Sequence, residues 1–203
     1  FSKKVLENLY LRNDFVDSIR NKIYYSPLGE KKYKYSDLGY YLMYEIIEKQ
    51  YKENFETVVN KYLWNHLGMN YTYYNPLDKN ININNIVPTE LESGFRNQLL
   101  HGTVHDQGAA LMGGVAGHAG VFSNTNDLAK YFQMLLNNGY YGGTKFYNKS
   151  TIDLFTTSIS PNNRRGLGFD KPSKNGESGP TCDSASPLSF GHTGFTGCIA
   201  WAD

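Results

Sequence analysis

Apolar side chains recur at helical spacing in several stretches of the chain. The pattern predicts helices over residues 38–49, 55–67 and 127–138, and a broken helical rhythm from Val5 to Ile23. Gly68 stands where the second of these helices should end, because glycine readily adopts the left-handed conformation that follows many helices. On the helix over 127–138 the expected core face consists of Leu128, Tyr131, Phe132, Leu135 and Leu136.

Two strand-like segments lie near the end of the chain. Leu188 to His192 and Gly197 to Trp201 are separated by a turn region at Thr193-Gly194. Helices therefore dominate the first two thirds and strands the end, which favours an α+β fold over an alternating parallel-sheet fold. We expect residues 1–203 to form one incomplete domain, mostly helix and loop over 1–120 and a helix plus sheet strands over 121–203.

Composition and charge exclude several classes of protein. Hydrophobic residues make up 40% and aromatic residues 15% of the 203 residues, which is enough to build a core and excludes general disorder. Lys and Arg number 20 against 19 Asp and Glu, so the formal charge of +1 offers no electrostatic footprint for nucleic acid. No apolar run approaches the ~20 residues that a membrane-spanning helix requires.

The two cysteines, Cys182 and Cys198, do not form a C-x-x-C pair. A structural zinc site built from thiolates is therefore not expected. Either the two cysteines form a disulfide, or Cys198 is a buried strand residue and Cys182 an incidental loop residue.

Three short motifs carry residues that could do chemistry. They are Tyr35-Ser36-Asp37 at a helix start, His192-Thr193-Gly194 between two strands, and the small-residue run from Ala116 to Gly120 that leads through Phe122-Ser123 into a helix. Taken singly, each has an ordinary structural interpretation: a packed aromatic beside a helix cap, a turn, and close backbone packing. Their order along the chain is more specific than any one of them.

In this order the motifs resemble the serine β-lactamase and penicillin-binding-protein family, and in particular its class-C-like, esterase-type branch. That family has a Tyr-x-Asn motif, a Lys-Thr-Gly or His-Thr-Gly strand, and a Ser-Thr-x-x-Asp-Leu-Ala helix between them. Tyr35-Ser36-Asp37, His192-Thr193-Gly194 and Ser123 to Ala129 match these in turn. Val104-His105-Asp106 with Gly113 to Gly120 is also similar to β-lactamase-like modules fused to family 3 glycoside hydrolases.

The resemblance implies a β-lactamase/transpeptidase-like fold, here incomplete, with a helical subdomain and part of an antiparallel sheet. It also implies acyl transfer to a serine, with no cofactor. Tyr35 would be the general base or proton shuttle, and Asp37 would hydrogen-bond the substrate or the family's catalytic lysine. Asp37 stands where Asn is usual, and a carboxylate accepts hydrogen bonds only, whereas an amide also donates them.

The same resemblance assigns roles to the second half of the site. His192, Thr193 and Gly194 would line the acyl pocket, with His192 adding positive charge when it is protonated, and the amide of Phe195 would stabilise the oxyanion. His118 would contact the substrate or serve as a hydrogen-bonded core residue. The expected substrate is a β-lactam, a cell-wall peptide or a small ester, handled in the periplasm or outside the cell.

The family's nucleophile lies in a Ser-x-x-Lys motif, and no serine in these 203 residues has a lysine three positions later. We therefore expect the chain to be a piece of a longer protein and to be inactive by itself. The full-length protein would carry the nucleophile, and a fused glycoside hydrolase is also an option.

Two other functions fit parts of the sequence. His101, His105 and His118 offer imidazoles for a zinc-dependent hydrolase, although there is no His-Glu-x-x-His motif. A non-catalytic cell-wall or glycan-binding module would keep the cleft without the chemistry. Its candidate sugar platforms are Tyr71, Tyr73 and Tyr74.

Overall fold

The computed structural model describes residues 3–6, 9–161, 163–173 and 178–203 of the chain. In chain order its α-helices are α1 (Phe15–Tyr24), α2 (Leu38–Tyr51), α3 (Phe55–Val59), α4 (Asn65–Leu67), α5 (Gln107–Leu111), α6 (Thr125–Leu136) and α7 (Lys149–Thr156). Its strands are β1 (Lys3–Leu6), β2 (Leu9–Leu11), β3 (Tyr73–Tyr74), β4 (Glu90–Glu92), β5 (Gln98–Leu100), β6 (Val121–Phe122), β7 (Tyr140–Tyr141), β8 (Thr144–Lys145), β9 (Phe190–Thr193) and β10 (Ile199–Ala202). No helix among these residues is long and apolar enough to cross a membrane.

The described strands pair antiparallel in five two-stranded ladders: β1 with β2, β3 with β6, β4 with β5, β7 with β8, and β9 with β10. Small antiparallel sheets beside helices confirm the predicted α+β class. The prediction of a helical rhythm from residue 5 was wrong for the described residues of its first part, which lie in the paired strands β1 and β2, and residues 7 and 8 lie outside the described residues. In β2 the side chains of Leu9 and Leu11 are partly buried and Tyr10 is exposed, so a period of two prevails there.

The predicted helix over 55–67 is present but is not regular. Its middle, Asn60–Trp64, is a π-helical turn between α3 and α4. The side-chain amide of Asn60 donates to the Glu56 carbonyl (2.9 Å), which competes with the backbone ladder at this point. Gly68 ends the segment with φ of 66°, as its position in the sequence predicted.

The described chain groups into two units. The first comprises Phe1–Tyr62 and Tyr71–Ser123, and the second comprises Leu63–Asn70 and Asn124–Asp203. Each unit therefore contains two separate stretches of sequence.

The first unit has a small core beside the start of α2. Buried Val5, Val104, Ala109, Ala110 and Ala116 form this core cluster. Gly117 follows directly, and a Cβ atom there would lie 2.7 Å from the Tyr40 carbonyl oxygen. A larger side chain does not fit at this point of the small-residue run, because the backbone of α2 passes close to it.

A buried ion pair holds the connection between β4 and α5 in the first unit. The Arg96 side chain is fully buried and its Nε lies 2.9 Å from Oε2 of Glu92, which is itself buried. Arg96 also donates to the carbonyl oxygens of Val104 and His105, and Gln107 donates to the second Glu92 oxygen. The hydrogen bond from Arg96 holds the pKa of Glu92 below its usual value, although desolvation opposes this.

The second unit is organised around α6, which packs against β7 and β10. The Phe132 ring stacks on Phe190 of β9 with centroids 6.2 Å apart. Asn124 caps α6, since its side-chain oxygen accepts the Asp127 backbone N–H at 2.8 Å. The expected core face is right for Leu135 and wrong for Leu136, which is exposed while Met134 is fully buried.

We predict that Arg96→Met lowers the free energy of unfolding by about 3 kcal/mol, because it leaves the Glu92 carboxylate buried without its cation. Urea denaturation followed by circular dichroism measures this. The loss should shrink as the pH falls through the depressed pKa of Glu92, since a protonated Glu92 no longer needs the guanidinium.

Lys149→Met, which breaks the exposed pair with Asp153, is the control and should cost under about 0.5 kcal/mol. Equal losses in both variants would contradict a structural role for the buried pair.

We predict that Asn124→Ala destabilises the protein by about 1 kcal/mol, because the first turn of α6 loses its side-chain cap. Asn148→Ala is the matched control, since Asn148 precedes α7 without a side-chain capping bond. Thermal unfolding of both variants compares the two sites. A loss at Asn148 as large as that at Asn124 would refute the capping argument.

Candidate active site

Tyr35, Ser36 and Asp37 immediately precede α2, as the sequence predicted. The Leu38 backbone N–H donates to Ser36 Oγ at 3.2 Å, and the Asp37 carbonyl accepts the Tyr40 N–H at 2.9 Å. These bonds set the chain direction at the helix start, while the Asp37 side chain makes no capping bond. The Tyr35 side chain is 58% exposed. Its phenol therefore reaches solvent at the N-terminal end of α2.

Asp37 lies close to two residues from elsewhere in the first unit. Ligand-type atoms of Asp37, Asp106 and His118 lie within 4.8 Å of one another. His118 Nε2 is 3.0 Å from Asp106 Oδ1, and the Ala109 N–H also donates to that oxygen at 2.6 Å. The hydrogen bond from His118 holds the pKa of Asp106 below its ordinary value, against the effect of its partial burial. Asp106 is therefore a carboxylate at neutral pH, and His118 donates to it.

Tyr41 completes the surroundings of this cluster. Its ring lies 4.6 Å from the His118 ring, measured between centroids. Burial raises the pKa of Tyr41 to about 12, and the negative charges of Asp106 and Asp37 add to the shift. Tyr41 therefore stays a neutral phenol at physiological pH and is not a candidate base. No motif in the sequence marks Tyr41, whose only signal is its place about one turn into α2.

His118 was expected either to contact the substrate or to be a hydrogen-bonded core residue. Its side chain is only 4% exposed and its Nε2 is occupied by Asp106. This placement favours the hydrogen-bonded role, in which His118 donates to Asp106.

The three histidines that suggested a zinc site have separate partners. His101 Nε2 lies 2.6 Å from the Ile86 carbonyl oxygen, and His105 Nε2 lies 2.7 Å from Glu90 Oε1. Within the described ranges, the one group with metal-like spacing contains His118 but neither of the others. The zinc alternative with His101, His105 and His118 was therefore wrong, because the chain does not bring these rings together.

The aromatic platform of the glycan-binding alternative is also not formed as expected. Tyr74 is almost fully buried, and its hydroxyl donates to the Ala116 carbonyl at 3.0 Å. Burial raises its pKa, so it is a core phenol. Of the three tyrosines, Tyr71 is the exposed one.

In the second unit, the His192-Thr193-Gly194 motif lies on β9 and in the turn after it. In the β9–β10 pair, His192 is opposite Ala200 and Thr193 is opposite Ile199. The Gly194 N–H donates to the Cys198 carbonyl at 2.6 Å and closes the turn. The Phe195 side chain, at the tip of this turn, is 94% exposed. The two cysteine thiols, Cys182 and Cys198, are free and exposed, so neither the disulfide nor a buried Cys198 is present.

The imidazole of His192 contacts Arg165, which no sequence motif predicted. Its Nε2 lies 2.7 Å from Nη1 of Arg165, and its Nδ1 lies 2.6 Å from the Thr193 carbonyl oxygen. Arg165 in turn pairs with Asp170 (3.2 Å). The sequence does contain the pair Arg164-Arg165 followed by Gly-Leu-Gly-Phe-Asp, but no motif rule predicts a contact between that pair and His192.

Asp170 organises this neighbourhood. Its carboxylate, 2% exposed, receives two hydrogen bonds from Arg164, at 2.7 and 2.8 Å. Burial alone would raise the pKa of Asp170, but the bonds from Arg164 and the neighbouring positive charges hold it below its usual value. The backbone of Asp170 exchanges hydrogen bonds with Gly191 (2.7 and 3.1 Å), which ties the segment to β9.

The candidate residues thus form two groups, one in each unit. Asp37 and His118 belong to one cluster in the first unit, where Tyr35 also lies. His192, Thr193, Gly194 and Phe195 share one hairpin in the second unit.

Known proteins of similar sequence point to one family. The sequence profile of the β-lactamase family matches residues 2–203. A protein of Escherichia coli (strain K12), provisionally named D-alanyl-D-alanine carboxypeptidase, is 37% identical over 196 residues, or 91% of this chain and 44% of that protein. A Salmonella typhi protein of the same provisional name is 36% identical over 184 residues, or 85% of this chain and 42% of that protein. The chain spans less than half of the length of these relatives.

Two solved structures are similar in fold. The octameric penicillin-binding protein homologue from Pyrococcus abyssi matches 96% of this chain and 42% of its own with a TM-score of 0.61 and 20% identity. A provisionally assigned β-lactamase from Bacteroides dorei DSM 17855 matches 98% of this chain and 55% of its own with a TM-score of 0.59 and 15% identity. At these identities the likeness shows the fold alone, and that fold is the predicted β-lactamase/transpeptidase-like one. With the family profile matching residues 2–203, the chain belongs to the β-lactamase family.

Proposed function

We propose that this chain is part of a serine hydrolase of the β-lactam and peptidoglycan kind, which cleaves an ester or amide through an acyl-enzyme. The observation that carries the proposal is the placement of Tyr35 directly before α2, with its phenol exposed, in a chain of the β-lactamase family. The proposed substrates are a β-lactam, a cell-wall peptide or a small ester. The names of the relatives favour the cell-wall peptide.

In this proposal Tyr35 is the general base or proton shuttle. A tyrosine hydroxyl has an ordinary pKa of about 10, so it acts as a base at neutral pH only beside positive charge. The family's catalytic lysine would supply that charge. Since the phenol is exposed at the end of a helix, it is accessible both to a substrate and to such a lysine.

The hairpin of β9 and β10 supplies the second part of the proposed machinery. Phe195 offers its backbone amide to the developing oxyanion, while His192, Thr193 and Gly194 line the acyl group. The close ladder between the two strands supports this role, because oxyanion donors must be held rigidly. A Cβ atom on Gly191 would lie 2.6 Å from the Trp201 ring, so the two strands pack too closely for any side chain at this position.

Asp37 takes the place of an asparagine in this machinery. As a carboxylate beside Asp106 and His118 it can only accept hydrogen bonds, from a substrate N–H or from the catalytic lysine. This limits recognition of an acyl-amide carbonyl and favours substrates that present a donor to it.

The nucleophile belongs to a Ser-x-x-Lys segment of the longer protein, since none of these 203 residues provides one. We place the full-length enzyme outside the cytoplasm, in the periplasm or extracellular space, because its proposed substrates are found there. We also propose that the full-length protein is fused to a glycoside hydrolase. The mass of the native protein tests this, because a fused domain would add to it.

We predict that Tyr35→Phe in the full-length protein lowers kcat/KM for a chromogenic ester or β-lactam by about 100-fold or more, the contribution expected of a general base. Tyr33→Phe is the matched control, because Tyr33 is also 58% exposed and only two residues away. It should stay within about 2-fold of wild type, as expected of a surface change. Wild-type rates in Tyr35→Phe would remove Tyr35 from the mechanism. No hydrolysis by the wild-type protein would favour the non-catalytic wall-binding function instead.

We predict that the 203-residue chain is not labelled by a fluorescent penicillin, because covalent labelling needs the serine of Ser-x-x-Lys. Gel fluorescence after denaturation measures this, and the full-length protein, which should be labelled, is the positive control. A covalently labelled band from the chain alone would mean that one of its own serines is the nucleophile.

A further inference from the structure

The contact between Arg165 and His192 is not explained by the motifs. A guanidinium has donors only and keeps its charge at all physiological pH values. Because Arg165 Nη1 lies 2.7 Å from His192 Nε2, the imidazole nitrogen must be the acceptor. An N–H group on Nε2 would point at another donor, and in the doubly protonated imidazolium it would also bring two like charges together.

The contact of the second ring nitrogen of His192 locates the proton of the ring. Its Nδ1 lies 2.6 Å from the Thr193 carbonyl oxygen, which can only accept. The proton of the ring therefore sits on Nδ1, and the lone pair on Nε2. We infer that Arg165 is a positioning residue that holds His192 as the neutral Nδ1–H tautomer and itself carries the positive charge at this end of β9.

Asp170 makes such a role possible for Arg165. The carboxylate is buried, receives a bidentate pair of bonds from Arg164, and lies 3.2 Å from Arg165 Nη2. Two guanidinium groups face one carboxylate, so the three groups together have a charge of +1. The backbone bonds between Asp170 and Gly191 fix this group one residue away from His192.

The catalytic consequence rests on the proposed function. In a Lys-Thr-Gly strand the lysine itself is the cation beside the threonine. Here His192 would orient the Thr193 carbonyl and the start of the turn, whereas the fixed charge would come from a different segment, 164–171. In this inference the positive charge comes from Arg165 and not from a protonated His192.

Long-range ¹H–¹⁵N correlation spectra of the ¹⁵N-histidine-labelled chain test the inference, because nitrogen shifts distinguish the two neutral tautomers and the imidazolium. His192→Asn identifies the resonances of His192 among those of the five histidines. At about pH 7.5, above the ordinary pKa of about 6.5 for histidine, we expect the Nδ1–H pattern in the wild-type chain. An Nε2–H pattern or an imidazolium pattern in the wild type would overturn the inference without any variant.

Variants then assign the effect to Arg165. Arg165→Met keeps the apolar stem but removes the donor, so the Nδ1–H signature should weaken and an Nε2–H signature should appear beside it, because the Thr193 carbonyl alone then favours Nδ1–H. Arg165→Lys restores a cationic donor and should recover it. Arg164→Met is the matched control, since Arg164 bonds the same Asp170 carboxylate, and it should leave the His192 tautomer unchanged.

A tautomer that does not change in Arg165→Met, or that changes equally in Arg164→Met, contradicts positioning by Arg165. Unaltered resonances of the other histidines show that each variant is folded. These outcomes do not depend on hydrolysis, so a failure of the proposed function is distinguishable from a failure of this inference. In the full-length enzyme, loss of kcat/KM in Arg165→Met with an unchanged tautomer would show that Arg165 acts on the substrate directly, which also overturns the positioning role.

Discussion

A buried carboxylate must have a cation beside it, and much of this structure follows from that constraint. Glu92 is held by Arg96, Asp127 by Lys130 and Asp170 by two arginines. In each case the cation lies within a few residues in sequence and then bonds to a more distant backbone or side chain. Lys130, for example, also donates to the Gly68 carbonyl. Each carboxylate thus fixes the place of a cation, and each cation connects its own segment to another part of the same unit.

The first unit brings Asp37 close to two other polar residues. By the family resemblance Asp37 would stand where an asparagine is usual, and the structure places it with Asp106 and His118. These three residues come from motifs that the sequence marked separately. A second carboxylate and an imidazole beside Asp37 mean that it belongs to a charged network, in which His118 offsets part of the negative charge by donating to Asp106. Asp37 and His118 therefore lie in the same polar cluster with Asp106.

The second unit distributes charge in a comparable way. By the family resemblance His192 would stand where a lysine is usual, which would leave the strand without a permanent cation. Arg165, anchored by buried Asp170, brings a permanent charge to the same imidazole. Arginine suits this position because its fork can bond a carboxylate and an imidazole at the same time, which an ammonium group does less well.

The sequence by itself determined the class of fold, the helices over 38–49, 55–67 and 127–138, and the family to which the chain belongs. These features depend on spacing within a few turns or on short motifs, so local physics and residue order were sufficient. Only the tertiary structure decided which distant side chains meet. It separated His101 and His105 from His118, buried Tyr74 and Met134, left Cys198 free and exposed, and joined Arg165 to His192. Contacts between residues far apart in sequence depend on how segments pack, and no local pattern contains that information.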